Sequence, residues 1–147
     1  MAAPVILLVE DNPDDVELTR LAFADGNLGN ELVVVGDGQA ALDWLFCEGA
    51  FAGRDPVCRV PSIVLLDLKL PKISGLEVLE RMRHDARTRR VPVVILTSSR
   101  EEQDLLRGYD LGANSYIRKP VDYAQFTRAV KELGVYWMVL NEPPPDQ

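Results

Sequence analysis

Five short runs, mostly apolar and rich in β-branched residues, alternate with longer segments of helical period, and this alternation limits the fold more than any other feature of the chain. A strand that is apolar throughout must be buried on both faces, which happens when helices cover a parallel sheet above and below. The first run is Val5-Ile6-Leu7-Leu8-Val9, the third is Ile63-Val64-Leu65-Leu66 and the fourth is Val93-Val94-Ile95-Leu96. Residues 32–35 and 115–118 complete the set. An open, doubly wound α/β sheet of five parallel strands is therefore expected, with helices on both faces. At 147 residues, 47% of them hydrophobic, the chain can bury one sizeable core, and one domain without a second folded module is expected.

Local signals mark the helices. Asn12 can cap the first, Pro13 suits its first position, and Asp14 and Asp15 favour its positive end, so it should run to about Asp25. Gly36-Asp37-Gly38 turns the chain into a second helix with Ala41, Leu42 and Leu45 inward, ending near Cys47. Residues 48–61 hold Gly49, Gly53, Pro56 and Pro61 without a period and are expected to form a long loop or irregular insert. A third helix from Gly75 turns Val78, Leu79 and Met82 to one side. Capping-box spacings at Ser99–Glu102 and at Asp122 with Gln125 open a fourth and a fifth, the fourth closed by Gly112 and the fifth with Phe126, Ala129, Val130 and Leu133 inward.

The net charge of -7 and the absence of a Lys/Arg cluster argue against nucleic acid or anionic lipid as partners. The first residues lack a basic segment ahead of an apolar core, and Val5 to Val9 is too short for a signal peptide or a membrane span, so a cytoplasmic protein is expected. Cys47 and Cys58 lack CxxC spacing and share the chain with a single histidine, His84, which argues against zinc and against a disulfide framework. Two partly buried free thiols are expected, and His84 reads as a surface residue without a role.

In such a sheet, ligands bind beyond the carboxyl ends of the strands, where the strand order reverses. Strand one ends in Glu10-Asp11, strand three in Asp67, strand four in Thr97 and strand five in Lys119. Any one of these acids reads equally well as a solvated strand end; the five groups together do not. Three neighbouring carboxylates repel one another and call for a hard cation, and magnesium accepts such oxygen donors without a closed protein cage. A carboxylate nucleophile, a metal, a hydroxyl and a lysine are also what phosphoryl transfer needs.

Leu8-Val9-Glu10-Asp11-Asn12-Pro13, Leu65-Leu66-Asp67-Leu68-Lys69-Leu70-Pro71, Leu96-Thr97-Ser98 and Tyr116-Ile117-Arg118-Lys119-Pro120 resemble the four signature segments of response-regulator receiver domains, in order and nearly across the chain. The resemblance implies a flavodoxin-like sheet of strand order 2-1-3-4-5. It makes Asp67 the phosphoacceptor, with Glu10, Asp11, Asp67 and the Lys69 backbone carbonyl around magnesium or manganese. Glu10 stands where many relatives carry aspartate and could act through water. Thr97 and Lys119 would contact the phosphoryl oxygens, Ser98 would leave room for entry, Lys119-Pro120 matches a cis bond, Gly75 would allow the turn into the third helix, and Tyr116 with Thr97 would form the switch. The Lys69 side chain and Ser99 stand where the family tunes phosphate lifetime.

The insert, Asn12-Pro13-Asp14-Asp15 and the C-terminal residues are most similar to single-domain regulators that serve phytochrome-type sensor histidine kinases. A receiver domain over residues 4–134 and an extension over 135–147 are expected. Val135-Tyr136-Trp137-Met138-Val139-Leu140 is apolar all round, so a homodimer built on it and on the surface of helix four, strand five and helix five is expected, unless it folds back within one monomer. A haloacid-dehalogenase-like phosphatase would need a second aspartate where Lys69 stands. A pseudo-receiver would lack one of the acids, the hydroxyl or the lysine. GxxxxGK and GxGxxG are both absent after the first strand.

Overall fold

The computed structural model describes residues 5–26, 31–53, 61–68, 70–97, 110, 112, 115–118, 124 and 127–128, with the backbone alone for 25, 26, 97 and 115–118. Strands β1 (Val5–Val9), β2 (Glu31–Val35), β3 (Ile63–Leu66), β4 (Val93–Thr97) and β5 (Ser115–Arg118) form one parallel sheet in the order β2-β1-β3-β4-β5. The alternation predicts the parallel sheet, and its strand order is the flavodoxin-like one that the family resemblance implies. Its order reverses between β1 and β3.

Side chains alternate across each strand, and the alternation sorts the core into two layers. Leu7, Val9, Val35, Val64, Leu66, Val93 and Ile95 pack with helices α2 (Gly38–Phe46) and α3 (Gly75–Arg83). Ile6, Leu8, Ile63, Leu65, Val94 and Leu96 pack on the opposite face with Ala22 and Phe23 of helix α1 (Pro13–Gly26). Because β1, β3 and β4 are covered on both sides, all their described side chains but Val5 are buried.

The helix ends follow from side-chain caps. The Asn12 carboxamide accepts from the Asp14 amide at 2.8 Å and the Asp15 amide at 3.3 Å, so α1 starts at Pro13 as expected. Asp37 caps α2 by accepting from the Ala40 amide at 2.7 Å, and the Ser74 hydroxyl caps α3 by accepting from the Glu77 amide at 3.3 Å. The expected helices four and five lie outside the described residues except for helical Asp110, Ala124, Thr127 and Arg128. Gly112 has a φ of 92°, the left-handed conformation suited to a helix terminator.

At the other end of α3, one guanidinium collects four backbone carbonyls. Arg83 donates from Nη1 to Val91 at 2.8 Å, Arg89 at 3.2 Å and Thr88 at 3.4 Å, and from Nη2 to Gly112 at 2.8 Å. It thereby joins the α3–β4 connection to the turn that precedes β5. His84, the C-cap residue of α3, holds its ring Nδ1 2.7 Å from the Glu80 carbonyl oxygen.

The expectation of two free thiols is corrected: Cys47 is disulfide-bonded. Only one other cysteine exists in the sequence, Cys58, which lies outside the described residues. Cys47 ends α2 in the left-handed conformation at φ 55°. The chain then enters a short 3-10 turn, Gly49–Phe51, whose Phe51 packs against the core, so the insert begins with ordered contacts rather than as an irregular loop.

Candidate functional site

The register brings the strand ends to one rim. Val9 pairs with Leu66 and Leu66 with Ile95, and the ladder runs one step further as the Asp67 amide donates to the Val9 carbonyl at 3.0 Å. On the other side of β1, the Glu10 amide donates to the Val35 carbonyl at 3.0 Å. Glu10 and Asp67 thus leave the sheet side by side at the reversal of strand order, where a crevice is expected. Thr97 ends β4 on the same rim.

Carboxylate oxygens of Glu10, Asp11 and Asp67 lie within 4.8 Å of one another, and among the described residues they are the one such grouping. Glu10 is 2% exposed and Asp67 7%, while Asp11 is exposed. The longer Glu10 side chain curls back: its Oε2 accepts from the Asp11 amide at 3.1 Å and the Asn12 amide at 3.3 Å. These bonds fix the turn that presents Asp11. Three anionic oxygen donors, two of them buried, with an open side toward solvent, suit a hard divalent cation that keeps several waters.

Close backbone packing holds Asp67 from behind. A Cβ on Gly75 would stand 2.1 Å from the Asp67 carbonyl oxygen and 2.7 Å from Leu68 Cα, and the Gly75 amide donates to the Leu68 carbonyl at 2.9 Å. At the turn into α3, where the resemblance places it, Gly75 serves a close approach of the helix start to the acceptor strand. Its φ is not among the positive ones. A second contact was missed by sequence reasoning. The β2–α2 turn grips the β3–α3 loop, with the Gly38 amide donating to the Pro71 carbonyl at 3.4 Å and Lys72 Nζ 3.6 Å from Asp37 Oδ2. Asp37-Gly38 reads in sequence as a turn and helix start, and nothing in it announces a partner more than thirty residues on.

Lys69, Ser98, Ser99, Lys119, Pro120 and residues 135–147 lie outside the described residues, as do the side chains of Thr97 and Tyr116. A cleft of about 390 Å³ lined by Ile73, Glu77, Glu80, Arg81 and His84 takes in none of the expected site residues. No helix among the described residues is long and apolar enough to cross a membrane.

Comparison with known proteins points the same way. Residues 6–131 match the model of the response regulator receiver domain. The probable methanogenesis regulatory protein FilR2 of Methanothrix harundinacea is 41% identical over 95% of this chain and 87% of its own. The response regulator Rcp1 of Synechocystis is 34% identical over 91% of this chain and 88% of its own, and the crystal structure of its Mn(2+)-bound form superposes with a TM-score of 0.84 over 97% and 99% of the two chains. The phosphorylated cyanobacterial phytochrome response regulator RcpA superposes with a TM-score of 0.86 at 38% identity, over 98% of this chain and all of the other. With its fold, its acidic rim and these likenesses in agreement, the chain belongs to the response-regulator receiver-domain family.

Proposed function

We propose that the chain is a phosphorylation switch in which Asp67 accepts a phosphoryl group from a phosphohistidine of a sensor histidine kinase. One observation carries this reading: the Asp67 carboxylate stands within 4.8 Å of those of Glu10 and Asp11 at the reversal of strand order. An Asp67 oxygen forms the new P–O bond as the P–N bond of the phosphohistidine breaks, and the electron pair returns to the imidazole, which takes up a proton. A bound magnesium or manganese ion would supply the positive charge that lets a phosphoryl dianion approach three carboxylates. Glu10, Asp11, Asp67 and the Lys69 carbonyl would hold it. The Thr97 hydroxyl and the Lys119 ammonium would contact the phosphoryl oxygens, and Ser98 leaves room for entry.

Movement of Thr97 toward the phosphoryl group opens space for Tyr116, which couples the rim to the surface of helix four, strand five and helix five. On this reading the protein acts in the cytoplasm and catalyses only its own phosphorylation and dephosphorylation. Its receiver domain spans residues 4–134, and residues 135–147 join that surface in a homodimer. A phytochrome-type kinase is the favoured partner, because RcpA is a phytochrome response regulator and matches nearly end to end. Acetyl phosphate treatment with magnesium, followed by intact-mass measurement, should add one phosphoryl group to the parent and none to Asp67→Asn. Full labelling of that variant would sink the assignment.

A further inference from the structure

We propose that Gly38, at the start of a helix that carries none of the acidic residues of the rim, is a positioning residue for the divalent cation and acts through the β3–α3 loop. The inference rests on the metal site proposed above. A Cβ built on Gly38 would stand 2.0 Å from the Ile73 carbonyl oxygen, 2.7 Å from its carbonyl carbon and 2.8 Å from its Cβ. Two of these atoms are backbone, so relief requires a backbone shift that parts the loop from the start of α2.

The loop has little slack to absorb such a movement. At its start Leu68 is buried and its carbonyl accepts from the Gly75 amide at 2.9 Å, while Asp67 is tied to β1 through its amide. At its end Ser74 caps α3. Between these points Leu70 and Ile73 pack against the core, the Ile73 amide donates to the Pro71 carbonyl at 2.9 Å, and Lys72 adopts a left-handed φ of 66° while facing Asp37. The carbonyl of residue 69, assigned to the cation by the proposed function, lies inside this short span. A push at Ile73 therefore bears on the described loop residues 70–72 that precede it, because both flanks are pinned.

Gly38 is also the first residue of α2, where helix propensity alone would favour alanine. A loss in Gly38→Ala would thus oppose the local preference. Gly36 supplies a control two residues away, since nothing lies within 4 Å of a Cβ built there.

The test is manganese binding followed by electron paramagnetic resonance of the free ion, with thermal unfolding measured beside it. Supporting residues of a metal site commonly change affinity by about 10- to 100-fold, and Gly38→Ala should weaken manganese binding by roughly tenfold while Gly36→Ala matches the parent. A folded Gly38→Ala with the parent's affinity would overturn the proposal. A parent that binds no manganese would overturn the metal reading and this inference with it. If Gly38→Ala does not fold, linkage supplies a second readout in the parent, because a loop that favours the cation must itself be favoured by it. Exchange of the Gly38 amide, which donates to Pro71, should then slow several-fold at saturating magnesium while that of Gly36 does not. Exchange at Gly38 indifferent to magnesium overturns the coupling.

Discussion

Replacing Arg83 by methionine keeps most of the aliphatic stem and removes every donor, so it isolates what the carbonyl-collecting guanidinium contributes. Two of its four bonds are short, at 2.8 Å to Val91 and Gly112, and the bonds at 3.2 and 3.4 Å share Nη1 with the first. Hydrogen bonds from a charged donor contribute about 1.5–3 kcal/mol each, so two good ones come to about 4 kcal/mol. Burial opposes this, and it lowers the Arg83 pKa by disfavouring the charged form. Allowing for that cost, Arg83→Met should lose about 2 kcal/mol. That corresponds to a fall of roughly 1 M in the urea midpoint, or about 6 °C in Tm.

The dependence on conditions tests the cause. An arginine does not deprotonate in proteins, and its partners here are neutral carbonyls, so the loss should stay level from about pH 5 to 9 and change little in about 1 M salt. Arg83→Lys should recover less than half, because a point ammonium cannot span both Val91 and Gly112. Paired urea titrations across that pH range give the comparison. A loss under about 0.5 kcal/mol, or one abolished by salt, would refute the reasoning.

Asp11→Ala should weaken magnesium binding by an order of magnitude or more, since it removes one of three grouped carboxylates; calorimetric titration reads this directly, and unchanged affinity would misplace the pair. The Cys47 disulfide should stabilise the oxidised protein by about 3 kcal/mol over the reduced one if it closes the dozen-residue loop to Cys58. Cys47→Ser should erase the difference between oxidised and reduced urea curves. The Arg87 guanidinium hydrogen-bonds Asp85 and holds its carboxyl below the usual range. With a depressed folded pKa, the pair's contribution is present above the unfolded value of about 3.9 and is lost as pH falls through the folded one. Asp85→Asn should therefore cost under about 1 kcal/mol near neutrality and nothing in strong acid, as pH-dependent melting would show. Light scattering should report a dimer in the parent and a monomer in Trp137→Glu; a monomer in both would leave the extension as an intramolecular cover.

The parts of the fold legible in the sequence were those encoded by neighbours in the chain. Strand runs, the Asn12 cap and the arrival of Glu10, Asp11 and Asp67 at strand ends follow from local pattern and from a topology with few alternatives. What escaped depends on distant backbone. Glycine carries no side chain to signal a contact, so the packing of Gly38 on Ile73 and of Gly75 on Asp67 leaves no trace in the pattern. Arg83 meets Gly112 across 29 residues through a carbonyl that any residue could supply. The Cys47 disulfide depends on the path of an insert whose glycines and prolines give no period.

The two-layer sorting of β3 has a consequence for how the chain can be cut and joined. Val64, Leu66 and Leu68 belong to the layer beneath α2 and α3, while Ile63 and Leu65 belong to the other. The sheet thus reads its strand as a frame of two. Deleting or inserting one residue within β3 would exchange the layers and put leucine where the acceptor carboxylate stands, with Asp67 turned toward hydrocarbon. A substitution along β3 disturbs one site, but a single frame slip disturbs every site of the strand. Length variation must instead be absorbed before Ile63, on the far side of the strand from the acceptor, which makes the preceding connection the natural place to splice a new segment into this receiver.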